Sequence, residues 1–103
     1  MVTDPRYAVL FEPVQIGPKT APNRFFAVPH ATGHSPLMPN GAIGLRAIKA
    51  EGGWGTVAMQ LAEIDPTSDI SNLPIETFWD ETDIRSHARL TERIREHGDL
   101  SDI

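Results

Sequence analysis

The chain of 103 residues contains no cysteine. Disulfides, thiolate metal sites and iron–sulfur ligation are therefore excluded. It is also short of positive charge, with Lys+Arg 9 against Asp+Glu 14 and a net charge of −5. A nucleic-acid binder ordinarily presents a basic face, so nucleic acid is not an expected partner. No apolar run is long enough to cross a bilayer, and Met1–Arg6 lacks the apolar core of a signal peptide. A cytoplasmic protein without a membrane partner is the expectation. Low-complexity segments and internal repeats are missing as well. What remains is an ordinary globular composition, since 40% apolar and 22% charged residues are too balanced for a disordered chain.

The stretch Asn23-Arg24-Phe25-Phe26-Ala27-Val28-Pro29-His30-Ala31-Thr32-Gly33 organises the reading. Phe25–Val28 predicts a short strand buried on both faces. Pro29 ends it, because proline has no N–H for a ladder. His30, Thr32, Gly33 and His34 then cluster where a buried strand emerges, the usual place for a ligand site in an α/β protein. A purely structural turn has the same composition. His30 and His34 are four apart but lie in a loop with no third ligand, so no metal site is expected.

Upstream, Ala8–Phe11 is apolar and Pro13 confines any strand there to an edge. Val14-Gln15-Ile16, a turn at Gly17-Pro18-Lys19 and a return from Thr20 predict a β-hairpin. Downstream, a loop with Pro36 and Pro39 precedes a helix from Pro39 or Asn40 to about Glu51, with Asn40 as a suitable N-cap. Its apolar face is Ile43, Ala47 and Ala50, with Arg46 and Lys49 elsewhere, and Gly52-Gly53 stops it. Trp54–Ile64 predicts a second strand with Val57, Met59 and Leu61 alternating against Ala58, Gln60 and Ala62. Asp65–Asp69 is turn chemistry, and a long loop containing Pro74 runs to Trp79. Asp80–His97 predicts a capped helix with Ile84, Ala88, Thr91 and Ile94 as its stripe and Glu81–Arg85 and Glu92–Arg95 as surface pairs. The order hairpin, strand, helix, strand, helix is the start of a parallel α/β fold. Asp99-Leu100-Ser101-Asp102-Ile103, with two aspartates, does not read as a buried strand.

Leu10-Phe11-Glu12-Pro13-Val14-Gln15-Ile16-Gly17, Asn23-Arg24, Val28-Pro29-His30 and Lys49-Ala50-Glu51-Gly52-Gly53-Trp54-Gly55 resemble the N-terminus of the old yellow enzyme superfamily of FMN-dependent oxidoreductases. The trimethylamine and dimethylamine dehydrogenase branch, with the related dienoyl-CoA reductases, is most similar. The resemblance runs from about Asp4 to Gly98. It implies the first two β/α units, with an N-terminal β-hairpin, of a (β/α)8 TIM barrel. A complete barrel needs roughly 200 residues or more, so a truncated barrel is expected. Residues 1–98 would be the N-terminal portion of an FMN-binding domain and 99–103 a tail outside the match.

The resemblance also implies a site. Pro29, His30, Ala31 and Thr32 fall where the family lays backbone along the flavin, and Gln60, Leu61 and Ala62 form a second flavin wall. Ala31 stands where the amine dehydrogenases carry a flavin-linking cysteine, which implies non-covalent FMN. Leu61 replaces an aromatic of their methylammonium cage, which argues against an alkylamine substrate. A small-molecule substrate and hydride from NAD(P)H or from the substrate itself are implied for the intact enzyme. The family's general acid, its substrate-binding residues and its phosphate-gripping loops belong to later strands, so the catalytic residues are unknown and the chain is expected to be inactive alone and to self-associate. The rival reading is a non-catalytic remnant or small interaction module that pairs through an open sheet edge.

Overall fold

A computed structural model describes residues 4–34, 37–68 and 75–102. The expectations for Met1–Thr3, Pro36, Asp69 and Pro74 lie outside these residues.

Pro5–Phe11 forms a 3-10 helix, so Ala8–Phe11, where any strand was expected to lie at an edge, is not a strand. The Asp4 side chain accepts from the Arg6 N–H, and Pro5 brings a fixed φ that suits a first helical position. None of its residues is buried. The hairpin follows as predicted: β1 (Val14–Ile16) pairs antiparallel with β2 (Lys19–Ala21), Val14 opposite Ala21. Gly17 turns it at φ 56°, in the left-handed region that favours glycine.

The central sheet is parallel, in the order β3 (Phe26–Ala27), β4 (Thr56–Ala58), β7 (Leu100–Asp102). Phe26 pairs with Thr56 and Thr56 with Leu100; Ala27 pairs with Val57 and Val57 with Ser101. Between the strands run α1 (Pro39–Glu51) and α2 (Glu81–Arg95). Ala27, Val57 and Met59 meet Ile43 and Ala50 of α1 and Leu90 and Ile94 of α2 in one apolar cluster. The sheet is therefore covered on one face. On the other, Phe26 is 42% and Val28 65% exposed. The expectation of a first strand buried on both faces fails for that reason, and its regular pairing shrinks to Phe26–Ala27.

Three further expectations are corrected. Trp54–Ile64 is not one strand: β4 ends at Ala58, and Ala62–Glu63 (β5) peels away to pair in parallel with β6 (Glu76–Thr77), inside what was read as loop. Met38, not Asn40, is the N-cap of α1, with no side-chain cap bond, and Asn40 instead accepts from Arg89 of α2. The segment read as a tail forms β7, because the backbone edge of β4 outweighs the polarity of Ser101 and its neighbours.

Helix α2 starts as expected. Asp80 accepts from the N–H groups of Thr82 and Asp83, and the Asp83 carboxylate reaches back to the Trp79 N–H at 2.9 Å. Its buried stripe is His87, Leu90 and Ile94, whereas Ile84 is half exposed and Ala88 exposed. The expected charge pairs are not formed among the described residues; Arg85 donates to Thr82 and Arg93 lies 3.5 Å from Glu96. Trp54 is 39% exposed and meets Phe25 edge-on.

The radius of gyration is 15.2 Å, against about 13 Å for a compact chain of this length. The excess reflects an elongated shape, 50 × 24 × 23 Å, and β3 and β7 each have one paired edge among the described residues. No helix is long and apolar enough to cross a membrane among these residues.

Candidate functional site

Beyond Ala27 the chain cannot continue the ladder normally, because Pro29 has no N–H to donate. It is recaptured one residue later, where the His30 N–H donates to the Met59 carbonyl at 3.2 Å. The Thr32 N–H then donates to Gln60 Oε1 at 3.3 Å. These two bonds bring the predicted segments Pro29–Thr32 and Gln60–Ala62 side by side at the C-terminal ends of β3 and β4. That is the end at which parallel α/β proteins do chemistry.

The seven predicted residues divide by what they present. Pro29, His30 and Ala31 are exposed and Thr32 half-buried. The hydrogen bonds of His30 and of the Thr32 N–H point into the protein, which leaves the Ala31 peptide groups outward with no partner among the described residues. Leu61 is 49% exposed and Ala62 half-buried at the start of β5. Gln60 behaves differently. It is buried, and both ends of its amide are engaged, Oε1 with Thr32 and Nε2 with Glu76 Oε1 at 3.2 Å. Its side chain braces the site from behind.

Two residues that sequence reasoning missed complete this brace. Arg46 of α1 is 1% exposed and donates from Nη2 to the His30 carbonyl. Burial lowers its affinity for its proton, and the nearby Glu76 carboxylate opposes that shift. Glu76 belongs to β6, in the segment read as loop. Arg46 was expected away from the apolar face of α1, and the structure corrects this: it stands three after Ile43 and four before Ala50 and is buried with them. Nothing in the sequence pointed to Glu76.

His87 of α2 supports the same region from below. Its Nε2 donates to the Thr77 carbonyl at 2.9 Å, Nδ1 lies 3.1 Å from the Met59 sulfur, and Phe78 stacks on the ring at 4.3 Å. It is buried and packed on both sides of its ring edge by these partners. His34 is 2.9 Å from Thr32 Oγ1, and no cluster of three potential metal ligands forms among the described residues.

A concavity of about 560 Å³ lies at the opposite end, between the hairpin and the strand starts. Ile16, Lys19, Phe26, Thr56, Leu100 and Ser101 are among its lining. Phe26, Thr56 and Leu100 share one rung of the sheet on its uncovered face. A closed barrel fills that face with side chains, and its N-terminal end serves stability, so this space is a weaker candidate than the strand ends.

The profile of the NADH:flavin oxidoreductase / NADH oxidase family matches residues 9–101. Dimethylamine dehydrogenase of Hyphomicrobium sp. (strain x) is 38% identical over 101 residues, 98% of this chain and 14% of that protein. The structure of 6-hydroxypseudooxynicotine amine oxidase from Pseudomonas geniculata N1 superposes with a TM-score of 0.89 at 44% identity, covering 97% of this chain and 15% of that one. Histamine dehydrogenase from Rhizobium sp. 4-9 gives a TM-score of 0.87 at 40% identity, covering 93% and 14% respectively. The chain thus spans about a seventh of the length of these relatives.

Proposed function

The chain belongs to the NADH:flavin oxidoreductase / NADH oxidase family, and from that membership we propose that it forms one wall of an FMN site in an oxidoreductase. Its α/β architecture is the opening portion of the family's (β/α)8 barrel. The observation that carries the proposal is the exposed Pro29–Thr32 backbone, held from behind and open in front, with Leu61 beside it. Peptide N–H and C=O groups freed at a strand end suit the polar edge of a flat heteroaromatic ring. The residues present therefore fit one side of the cofactor.

FMN, when bound, supplies hydride transfer to and from an organic substrate, with NAD(P)H proposed as the electron donor. This chain's residues position and shield. Ala31 and its neighbours offer backbone polar atoms to the ring edge, and Leu61 excludes water from one side. Ala31 carries no nucleophile, so the cofactor is held without a covalent bond. Leu61 has no aromatic face for a methylated ammonium, so the proposed substrate is a different small organic molecule. The phosphate grip of barrel enzymes lies after the seventh and eighth strands. Affinity of the 103-residue chain for FMN is accordingly weak.

Titrating FMN into the chain tests this. Millimolar FMN is expected to shift the amide resonances of Ala31 and Leu61 while leaving those of β1 and β2 in place. Unmoved Ala31 and Leu61 amides would remove the proposed wall. Tight stoichiometric binding by calorimetry would show that the grip does not depend on later strands.

A further inference from the structure

Arg46 is an expensive residue to bury. A guanidinium taken out of water costs several kcal/mol unless its donors are well paired. Here Nε and Nη1 are buried without a hydrogen-bond partner among the described residues, and Nη2 is committed to a single carbonyl. Stability alone would favour an apolar side chain of the same volume. The carbonyl that Arg46 holds belongs to His30, in the middle of the outward-facing segment.

The bonds around it connect. Arg46 holds the His30 carbonyl; the His30 N–H is held by Met59; the Thr32 N–H is held by Gln60; Gln60 is held by Glu76; and the Glu76 carboxylate lies within electrostatic reach of Arg46. Three separate elements, α1, the end of β4 and β6, thereby converge on three consecutive residues. We propose that Arg46, Glu76 and Gln60 are positioning residues, a relay that fixes the His30 carbonyl and the Thr32 amide and so sets the orientation of the free Ala31 peptide groups between them. The relay deepens the flavin-wall reading and rests on it for its purpose, though not for its existence.

Loops joined by single hydrogen bonds ordinarily fluctuate with little cooperativity. A relay behaves otherwise, because loosening one end loosens the far end. The Thr32 amide is the reporter, since neither Arg46 nor Glu76 bonds to it directly. The Thr56 amide, bonded to the Phe25 carbonyl at the start of β3, is the internal reference for the rest of the sheet.

The test is residue-resolved amide hydrogen exchange on the full 103-residue chain and four variants. Gln60→Ala, Glu76→Ala and Arg46→Met are each expected to speed exchange at Thr32 by about threefold to tenfold, the change associated with one neutral hydrogen bond. Thr56 exchange should stay put. Glu76→Gln keeps an acceptor for Gln60 and is expected to restore most of the Thr32 protection. Arg46→Met conserves bulk and apolar packing; if it fails to fold, Gln60→Ala and the two Glu76 variants decide. Thr32 exchange that is unchanged in Glu76→Ala and Arg46→Met overturns the relay, as does acceleration shared equally with Thr56. With millimolar FMN present, the shift at Ala31 should diminish in Arg46→Met. If FMN leaves Ala31 unmoved in the unsubstituted chain, the flavin reading falls, and the exchange data still settle the relay separately.

Discussion

Replacing Asp99 with alanine should make the protein more stable at neutral pH. Asp99 is 5% exposed at the entry to β7, and its Oδ2 has no hydrogen-bond partner among the described residues. A buried polar group left unsatisfied costs about 1–3 kcal/mol. Burial raises the carboxyl above its ordinary 3.8, while His97 pulls weakly the other way. The folded chain therefore keeps this proton to a higher pH than the unfolded chain does. In the window from about 3.8 up to the raised value, the native state binds more protons, so stability falls as pH rises. Above the window the penalty is complete. Asp99→Ala removes it, and the gain should be about 1–3 kcal/mol at pH 7, or roughly 4–8 °C in Tm per kcal/mol for a domain of this size. Denaturant melts at neutral pH and below pH 4 measure it. The advantage of the variant should shrink in acid, where the carboxyl of the parent chain is protonated. A variant less stable at pH 7, or an advantage independent of pH, would refute the reasoning and indicate that the carboxylate is paired.

Gly55→Ala should destabilise the joint between β3 and β4, because a Cβ there would stand 2.5 Å from Asn23 Oδ1 and 2.6 Å from its backbone carbonyl. Asn23 cannot step aside without breaking its bonds to Gly53 and Phe25, so a loss of about 1–3 kcal/mol is expected by chemical denaturation. In a protein carrying this segment within a complete barrel, flavin should be released into the supernatant on acid precipitation, since Ala31 offers no tether; flavin that stays with the pellet would contradict it. The isolated chain should form dimers or larger species at physiological salt, where charge repulsion reaches only about 8 Å and the half-bare Phe26 and Val28 face seeks cover. Analytical ultracentrifugation showing one monomeric species over a wide concentration range would count against this.

Local chemistry determined much of this protein directly from sequence. Asp80 capping α2, Pro39 opening α1, Gly53 and Gly98 closing the two helices and the Gly17 hairpin all depend on neighbours within a few residues, so their effect is written in the chain order. The turn at Pro29–Thr32 was likewise legible as a place where the ladder stops, because proline has no N–H to give, whereas Gln60–Ala62 was implied by the family resemblance alone. Tertiary structure decided what depends on distant partners. Ser101 and Leu100 carry no strand signal strong enough to stand alone, and they became β7 only because β4 presented an unsatisfied edge. Glu76 was invisible for the same reason, since only the departure of Ala62–Glu63 from the central sheet creates a partner for it. Arg46 was expected away from the apolar face of its helix, and only the carbonyl it holds accounts for a charge buried there. Periodicity places a side chain on a face, whereas only the packed neighbours determine whether that face meets apolar core, solvent or a polar group that must be held.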